Sequence, residues 1–228
     1  MRVFACLRPP AVALDHLQHA LDGVTPVPTH NGPPPLRWVP AEQRHVTLAF
    51  YGEVPDGAVE DLAGALAAVA AATPPLRVQL AGSGVFSGAT LWIGVRTVDD
   101  DRALLRLMTD AEGAGADISR MEPRDRRRAH LTVARLSARQ QRDRADHRRR
   151  VRQAARRPER RAGLRTQPPG VDLPAIAHAL SVYRGPVWEA TEVELVQSRL
   201  GAGRGGGAHH EVLAVLSLGA APEPGGGA

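Results

Sequence analysis

The tetrapeptide His-x-Thr-x, in which x is apolar, occurs twice in this chain, as His45-Val46-Thr47-Leu48 and as His130-Leu131-Thr132-Val133. Each copy opens a short apolar run that is typical of a strand. Because successive side chains of a strand point to opposite faces, the histidine and threonine of each copy share one face. Two such strands lying close together would bring two imidazoles and two hydroxyls into one cleft. One His-x-Thr often arises by chance, but two copies, each opening an apolar strand, indicate a catalytic site more strongly.

The apolar patterns predict an α+β fold. The predicted strands cover 2–7, 45–51, 76–80, 91–95, 130–136, 188–197 and 211–218, and the predicted helices cover 11–22, 57–72, 99–113 and 173–182. Asp56 and Asp172 are expected to cap helices, and Gly82–Gly88 is expected to be mostly loop. Two pairs of strands follow each other with no helix between them, which favours antiparallel pairing over a parallel sheet. Since each half of the chain carries one motif strand, we expect two pseudo-symmetric lobes around a central cleft.

The positive charge of the chain is concentrated in one segment. The net charge is +5, but residues 139–165 alone carry an excess of nine positive charges, so the remainder is at −4. The Arg-rich segment 137–170 has few apolar residues, and we expect it to be disordered or at most a solvated helix. We therefore divide the chain into one bilobal domain, residues 1–218, interrupted by 137–170, and a disordered tail, 219–228. The segment is interpreted as an electrostatic RNA clamp, as a mobile basic loop or as the product of a misread reading frame.

The remaining bulk features place limits on the class of protein. The single cysteine, Cys6, excludes an intrachain disulfide framework and a multi-cysteine zinc site, and we interpret it as a buried strand residue. The first apolar run is too short for a signal peptide or a membrane span, so a cytoplasmic protein with no membrane association is expected.

Two histidines that face one cleft can act as an acid–base pair. An imidazole titrates near pH 6.5, so one ring can accept a proton while the other donates one. Cleavage of a phosphodiester needs both roles, and it needs no metal if other donors stabilise the charge on phosphorus. The hydroxyls of Thr47 and Thr132 could donate to phosphate oxygens, and Arg135 could add positive charge, although a plain surface role for Arg135 fits its spacing equally well. We predict no metal and no cofactor.

The residues around both motifs resemble a known family. The run from Leu36 to Val54, the run Ala129–Arg135 and a closing region of Tyr183–Pro186 and Glu192–Leu200 are similar to the RNA 2′,3′-cyclic phosphodiesterases, also called 2′-5′ RNA ligase-like proteins, of the 2H phosphoesterase superfamily. The resemblance implies a bilobal fold and metal-free hydrolysis of RNA 2′,3′-cyclic phosphate ends to 2′-phosphates, with reversible 2′-5′ ligation left open. It implies that His45 and His130 are catalytic, with His45 donating a proton to the leaving ribose oxygen and His130 activating water. It also implies that Thr47 and Thr132 hold the phosphate.

The sequence departs from this family in two places. Family members usually have proline before the second histidine, where this chain has Ala129, and often an aromatic residue just upstream, where it has Arg126–Arg128. The segment 137–170 has no counterpart in the family pattern.

Two other interpretations of the function stay open, namely a 2H enzyme acting on small cyclic nucleotides and an RNA-binding protein acting through 137–170. The expected partner is RNA with 2′,3′-cyclic phosphate ends, and the expected state is a monomer. Two further histidine pairs, His16 with His19 and His209 with His210, are interpreted as surface residues in preference to a metal site or a lining of the cleft mouth.

Overall fold

A computed structural model describes residues 1–25, 34–118, 128–155, 170–203 and 207–219. The strands are β1 Arg2–Leu7, β2 Leu36–Trp38, β3 Val46–Glu53, β4 Leu76–Phe86, β5 Thr90–Thr97, β6 His130–Leu136, β7 Arg184–Ala190, β8 Glu192–Arg199 and β9 His209–Ser217. The helices are α1 Ala11–Val24, α2 Val59–Ala72, α3 Ala103–Ala114, α4 Ala138–Ala155 and α5 Leu173–Ala179. The predicted α+β class is confirmed.

The described strands form one antiparallel sheet in the order β7-β4-β5-β6-β3-β1-β8-β9, with β2 paired to the end of β6. Strands β1, β3, β8 and β9 make the first lobe, and β4, β5, β6 and β7 make the second. The two halves correspond element by element, because β1-α1-β3 in the first lobe matches β5-α3-β6 in the second. The expected pseudo-symmetric lobes are therefore present, each with one motif strand at the boundary.

The helices bind the two lobes together on one side of the sheet. Helix α1 follows a strand of the first lobe but packs against β7 of the second, and α3 follows a strand of the second lobe but packs against β3 of the first. Leu17 of α1, Leu107 of α3 and Ile93 of β5 all belong to one continuous buried cluster. A second, small cluster of Phe4, Cys6 and Val196 lies on the other side of β1 and β8. Cys6 is fully buried, as predicted.

Three local predictions are wrong. Residues 82–86 belong to β4 and not to a loop, because Gly84 lets the Trp92 ring of β5 lie across it: a Cβ at Gly84 would stand 2.2 Å from that ring. The strand predicted at 188–197 is two strands, β7 and β8, since the chain leaves one lobe and enters the other at Thr191. One residue suffices for this crossing because the sheet is curled. Asp56 does not cap α2, whose preceding residues form a short 3₁₀ turn, whereas Asp172 caps α5 as predicted by accepting a hydrogen bond from the Ala175 amide.

Part of the Arg-rich segment is an ordered helix. Helix α4 covers 138–155, which corresponds to the solvated helix that the sequence allowed and not to disorder. Two of its side chains are nevertheless buried, Gln140 and Arg144. The Arg144 guanidinium donates to the carbonyls of Gly88, at 2.9 Å, and of Val171. The rest of the segment that was predicted to be disordered and nearly all of the predicted tail, like Arg126 and Arg127, lie outside the described residues.

None of the helices that the structure describes is long and apolar enough to cross a membrane.

Gly94 offers a test of the packing beside the boundary between the lobes. A Cβ at Gly94 would stand 2.5 Å from the Ala81 carbonyl oxygen, whereas a Cβ at Gly64 of α2 would meet nothing within 4 Å. We expect Gly94→Ala to lower the free energy of unfolding by about 1–3 kcal/mol. The matched control, Gly64→Ala, should raise it by up to about 1 kcal/mol through helix propensity. Urea unfolding measures both, and equal stability of Gly94→Ala and wild type would contradict the packing described.

Candidate active site at the boundary between the lobes

The two motif strands meet at one pairing, Val46 of β3 opposite Leu131 of β6. Continuing this antiparallel register by one residue places His45 opposite Thr132 and Thr47 opposite His130. Directly opposed residues of an antiparallel pair project to the same face. The sheet therefore brings both predicted histidines and both predicted threonines to one face at the boundary between the lobes, with the histidines on a diagonal.

Both motif strands carry an irregularity at the same place. The register between β1 and β3 shifts after Thr47, so Leu48 is an extra residue, and the register between β5 and β6 shifts after Thr132, so Val133 is an extra residue. A bulge of this kind reverses the alternation of side chains beyond it. Arg135 consequently returns to the face of His130 and Thr132, whereas strict alternation would have turned it away.

The two imidazoles are held in the same way. His45 Nδ1 lies 2.7 Å from the Gln43 carbonyl oxygen, and His130 Nδ1 lies 2.8 Å from the Arg128 carbonyl oxygen. Since a carbonyl oxygen only accepts, each Nδ1 carries the proton, and Nε2 is the nitrogen of the neutral ring that can accept another. In both motifs the partner is the residue two positions earlier, so the local backbone fixes tautomer and orientation together.

The surroundings of the two rings differ. His45 stacks on Phe4, with ring centroids 4.7 Å apart, and meets the edge of His210 at 5.4 Å. His130 meets Phe86 edge to face at 4.8 Å and lies 6.3 Å from Trp92. The first lobe thus encloses His45, whereas the second lobe places the aromatic pair Phe86 and Trp92 beside His130.

This enclosure favours the neutral form of His45. Burial lowers the pKa of His45 from 6.5 to about 4, with smaller contributions in the same direction from His210, Arg8 and Arg135. The hydrogen bond to the Gln43 carbonyl opposes the shift only in part. In the unliganded protein His45 is therefore neutral at pH 7.

An ion pair supports the His45 side of the cleft. The Arg8 guanidinium donates to the Glu194 carboxylate at 2.9 and 3.0 Å through Nε, and its Nη1 donates to the Glu42 carbonyl at 2.8 Å. Burial, reinforced by Glu194, raises the pKa of Cys6 to about 12, so this thiol stays protonated at neutral pH. Gln43 donates to the Ala208 carbonyl at 3.1 Å and so ties the turn before His45 to the connection between β8 and β9.

Several residues of this site were not assigned to it from the sequence. His210 was interpreted as a surface residue, but it is half-buried against Phe4 and His45. Phe4 and Trp92 were interpreted only as parts of apolar strands, and Phe86 as part of the predicted loop 82–88. Their contacts with the motif histidines depend on strand pairing that local alternation does not reveal, because bulges interrupt β3, β4 and β6. His209 is exposed, as expected, and His16 contacts the Tyr183 hydroxyl at 3.1 Å.

A metal site was predicted to be absent. The described part of the chain contains no group of three or more His, Cys, Asp or Glu side chains that could hold a metal ion.

Comparison with known proteins identifies the kind of fold that carries this site. Residues 17–95 match the family described as LigT like Phosphoesterase. An RNA 2′,3′-cyclic phosphodiesterase of Geobacillus stearothermophilus is 38% identical over 102 residues, which are 43% of this chain. The match spans only 32% of that relative's length.

Two solved structures extend the likeness to nearly the whole chain. A crystal structure of TT0787 of Thermus thermophilus superposes with a TM-score of 0.64 and 21% identity, covering 96% of this chain and 98% of the other. A crystal structure of E. coli LigT complexed with 3′-AMP gives a TM-score of 0.58 and 20% identity, covering 95% and 97%. The chain has the LigT fold, and the first motif lies within the residues that the LigT-like family matches.

The lowered pKa of His45 predicts a pH dependence of stability. A histidine whose pKa falls on folding favours the neutral form, so its contribution is complete above pH 6.5 and is lost as the pH falls towards 4. Between pH 8 and pH 4.5, wild type should lose about 2 kcal/mol more unfolding free energy than His45→Gln. Urea unfolding at both pH values measures the difference, and parallel losses in the two proteins would show that His45 titrates normally.

Proposed function

We propose that this LigT-like chain hydrolyses RNA 2′,3′-cyclic phosphate ends to 2′-phosphate ends, with His45 and His130 as its acid–base pair. The observation that carries the proposal is the register at the boundary between the lobes, which presents both histidines, both motif threonines and Arg135 on one face. The name of the Geobacillus relative and the 3′-AMP with which E. coli LigT was crystallised support a nucleotide phosphoester as the substrate.

The proposed reaction needs one proton acceptor and one proton donor. One imidazole Nε2 takes a proton from water, the water oxygen attacks phosphorus, and the bond from phosphorus to the 3′-oxygen breaks. The other imidazole gives its proton to the 3′-oxygen, which leaves a 2′-phosphate monoester and a 3′-hydroxyl. The two rings thereby supply both proton transfers, so the chemistry needs no metal. With a 5′-hydroxyl in place of water, the same steps give a 2′-5′ linkage.

The remaining polar groups on this face would stabilise the phosphate. Thr47 and Thr132 flank the histidines across the strand boundary, so their hydroxyls can donate to the non-bridging oxygens. The Arg135 guanidinium acts on His45 electrostatically and would act with opposite sign on an anionic phosphate.

The direction of proton transfer depends on the bound anion. The family resemblance assigns the donor role to His45, yet this ring is neutral at pH 7 in the unliganded protein. An anionic cyclic phosphate beside His45 would raise its pKa, since an opposite charge at short range favours the charged form. In this proposal the bound substrate raises the pKa of His45, so that the ring carries the proton that it then donates.

Hydrolysis of an oligoribonucleotide that ends in a 2′,3′-cyclic phosphate tests the proposal. In EDTA, wild type should form a 2′-phosphate end, and His45→Ala or His130→Ala should each lower kcat/KM by at least about a hundred-fold. His209→Ala is the matched control, because His209 is exposed and adjacent to His210, and it should retain activity. Full activity in either motif variant would refute the histidine pair, and turnover of cyclic mononucleotides alone would favour the small-substrate alternative.

The Arg-rich helix favours RNA binding as a second candidate function. Helix α4 carries seven arginines and two aspartates, and every arginine except Arg144 is exposed. Arg144 fixes the helix to Gly88, in the turn that follows Phe86, so the exposed guanidiniums are held beside the His130 lobe. A fixed row of cations of this kind suits the phosphates of a longer RNA chain.

Neutralising α4 separates binding from catalysis. Arg148→Gln, Arg149→Gln and Arg152→Gln together should leave kcat/KM on a cyclic mononucleotide within about two-fold, while the slope of log affinity against log salt for a single-stranded oligonucleotide falls by about 2. The matched control neutralises three exposed arginines outside α4, namely Arg77, Arg102 and Arg106, and should keep the slope. An unchanged slope in the α4 variant would remove RNA binding from this helix.

A further inference from the structure

We infer that Arg96 and Arg128 form a second anion site, which binds the phosphate on the 5′ side of the terminal nucleotide while the histidines act on its cyclic phosphate. This inference rests on the proposed function and adds to it a reason for the chain to prefer RNA ends over free cyclic nucleotides.

The two arginines lie directly opposite each other on neighbouring strands. The Val95 amide of β5 donates to the Ala129 carbonyl at 3.2 Å, which continues the pairing of β5 and β6 to the residue before β6. One residue further, the same register places Arg96 opposite Arg128. Because the pair before it is hydrogen-bonded, this pair is of the non-hydrogen-bonded kind, in which opposed side chains come closest. Two exposed arginine side chains are therefore brought together.

Both guanidiniums lie on the face of the sheet that carries His130. Arg96 shares a face with Trp92 and Gly94, because side chains alternate along β5. The Arg128 guanidinium lies 5.2 Å from the Trp92 ring. Two residues along a strand span about 7 Å, and Gly94, opposite His130, adds no side chain over that span. This separation is comparable with that of neighbouring phosphates along an RNA chain.

The positive charge of this pair is not neutralised by the described residues. Arg96 donates through Nε and Nη2 to the neutral side-chain oxygen of Gln79, at 3.2 and 2.7 Å. Gln79 is itself held by donating to the Gly185 carbonyl at 2.8 Å. The exposed Asp101 lines the same cleft, but the ion pairs of the described residues include neither Arg96 nor Arg128. Since like charges directly opposite each other destabilise a sheet, a bound anion would offset their repulsion.

The first lobe has no equivalent site among its described residues. Arg8 takes the place of Gly94 there, but the Glu194 carboxylate neutralises it at 2.9 and 3.0 Å. The positions that correspond to the two arginines of the second lobe hold Pro10 and Gln43, which are uncharged. The 5′ phosphate is therefore assigned to the second lobe, and the RNA chain would leave the site across β5 and β4.

Arg128 also gives a role to one departure of this chain from the family pattern. It belongs to the run Arg126–Arg128, which stands where family members often have an aromatic residue. A guanidinium at this place supplies charge and paired donors that suit a phosphate. Recognition of this kind does not depend on the base, so the presence of a 5′ phosphate should matter more than the identity of the terminal nucleoside.

Two substrates that differ by one phosphate test the inference. Adenosine 2′,3′-cyclic phosphate is assayed with a 5′-hydroxyl and with a 5′-phosphate. Wild type should favour the 5′-phosphorylated compound about ten-fold in kcat/KM, with the difference expressed in KM. Arg96→Gln and Arg128→Gln should each reduce this preference to about two-fold, whereas Arg96→Lys, which keeps the charge, should retain most of it.

Arg77→Gln is the matched control. Arg77 is an exposed arginine of the same lobe, but it is paired with Asp99 at 3.0 Å, so its removal should leave the preference unchanged. The second anion site would be overturned by a wild type without the preference, or by a preference that survives in Arg96→Gln and Arg128→Gln. An equal loss in Arg77→Gln would reduce the effect to general surface charge and would also overturn it.

A binding measurement separates this inference from the proposed reaction. Calorimetry with adenosine 2′-monophosphate and with adenosine 2′,5′-bisphosphate should show tighter binding of the bisphosphate, and Arg96→Gln should weaken only the binding of the bisphosphate. Equal weakening of both ligands would contradict a site for the 5′ phosphate. Absence of turnover in wild type, with this difference in binding retained, would refute the proposed reaction and leave the second anion site supported.

Discussion

The backbone pairing of Val46 with Leu131 determines the geometry of the site. It is the contact at which the two motif strands meet, and it lies in the middle of both His-x-Thr sequences. A slip of one residue in either strand would turn its histidine into the core and expose Val46 or Leu131, which are fully buried. The packing of these apolar residues therefore fixes the relative placement of the imidazoles. Helices α1 and α3, each of which packs against the opposite lobe, then hold the two motif strands together.

The two lobes repeat one structural pattern but give their histidines different environments. Each motif strand bulges after its threonine, and each imidazole donates through Nδ1 to the carbonyl two residues before it. His45 is enclosed by Phe4 and His210, and burial lowers its pKa, whereas His130 lies beside the exposed Phe86. Pseudo-symmetry thus supplies two rings in matching geometry, and unequal packing gives them different environments, which is compatible with the proposed division into acid and base.

Much of this structure follows from the sequence, and the rest depends on pairing between distant strands. Apolar runs predicted the strands Arg2–Leu7 and His130–Leu136, and the preference of aspartate for helix N-termini predicted the Asp172 cap, because each depends on residues that are close in sequence. The shared face of the motif residues also followed from alternation. Gly84 was misread because its role depends on Trp92 of the next strand, and His210 because its burial depends on Phe4 of a strand that is distant in sequence. Arg135 lies on the face of His130 only because of the bulge after Thr132. The residues of β6 alone do not indicate that bulge.

The central claim is that His45 and His130 act as one unit across the boundary between the lobes. A double-mutant cycle on kcat/KM for an oligoribonucleotide 2′,3′-cyclic phosphate tests it most directly. Because the two proton transfers belong to one reaction, the double variant His45→Ala/His130→Ala should be little worse than either single variant. Losses that multiply in the double variant would mean that the two rings act independently, and would contradict the account.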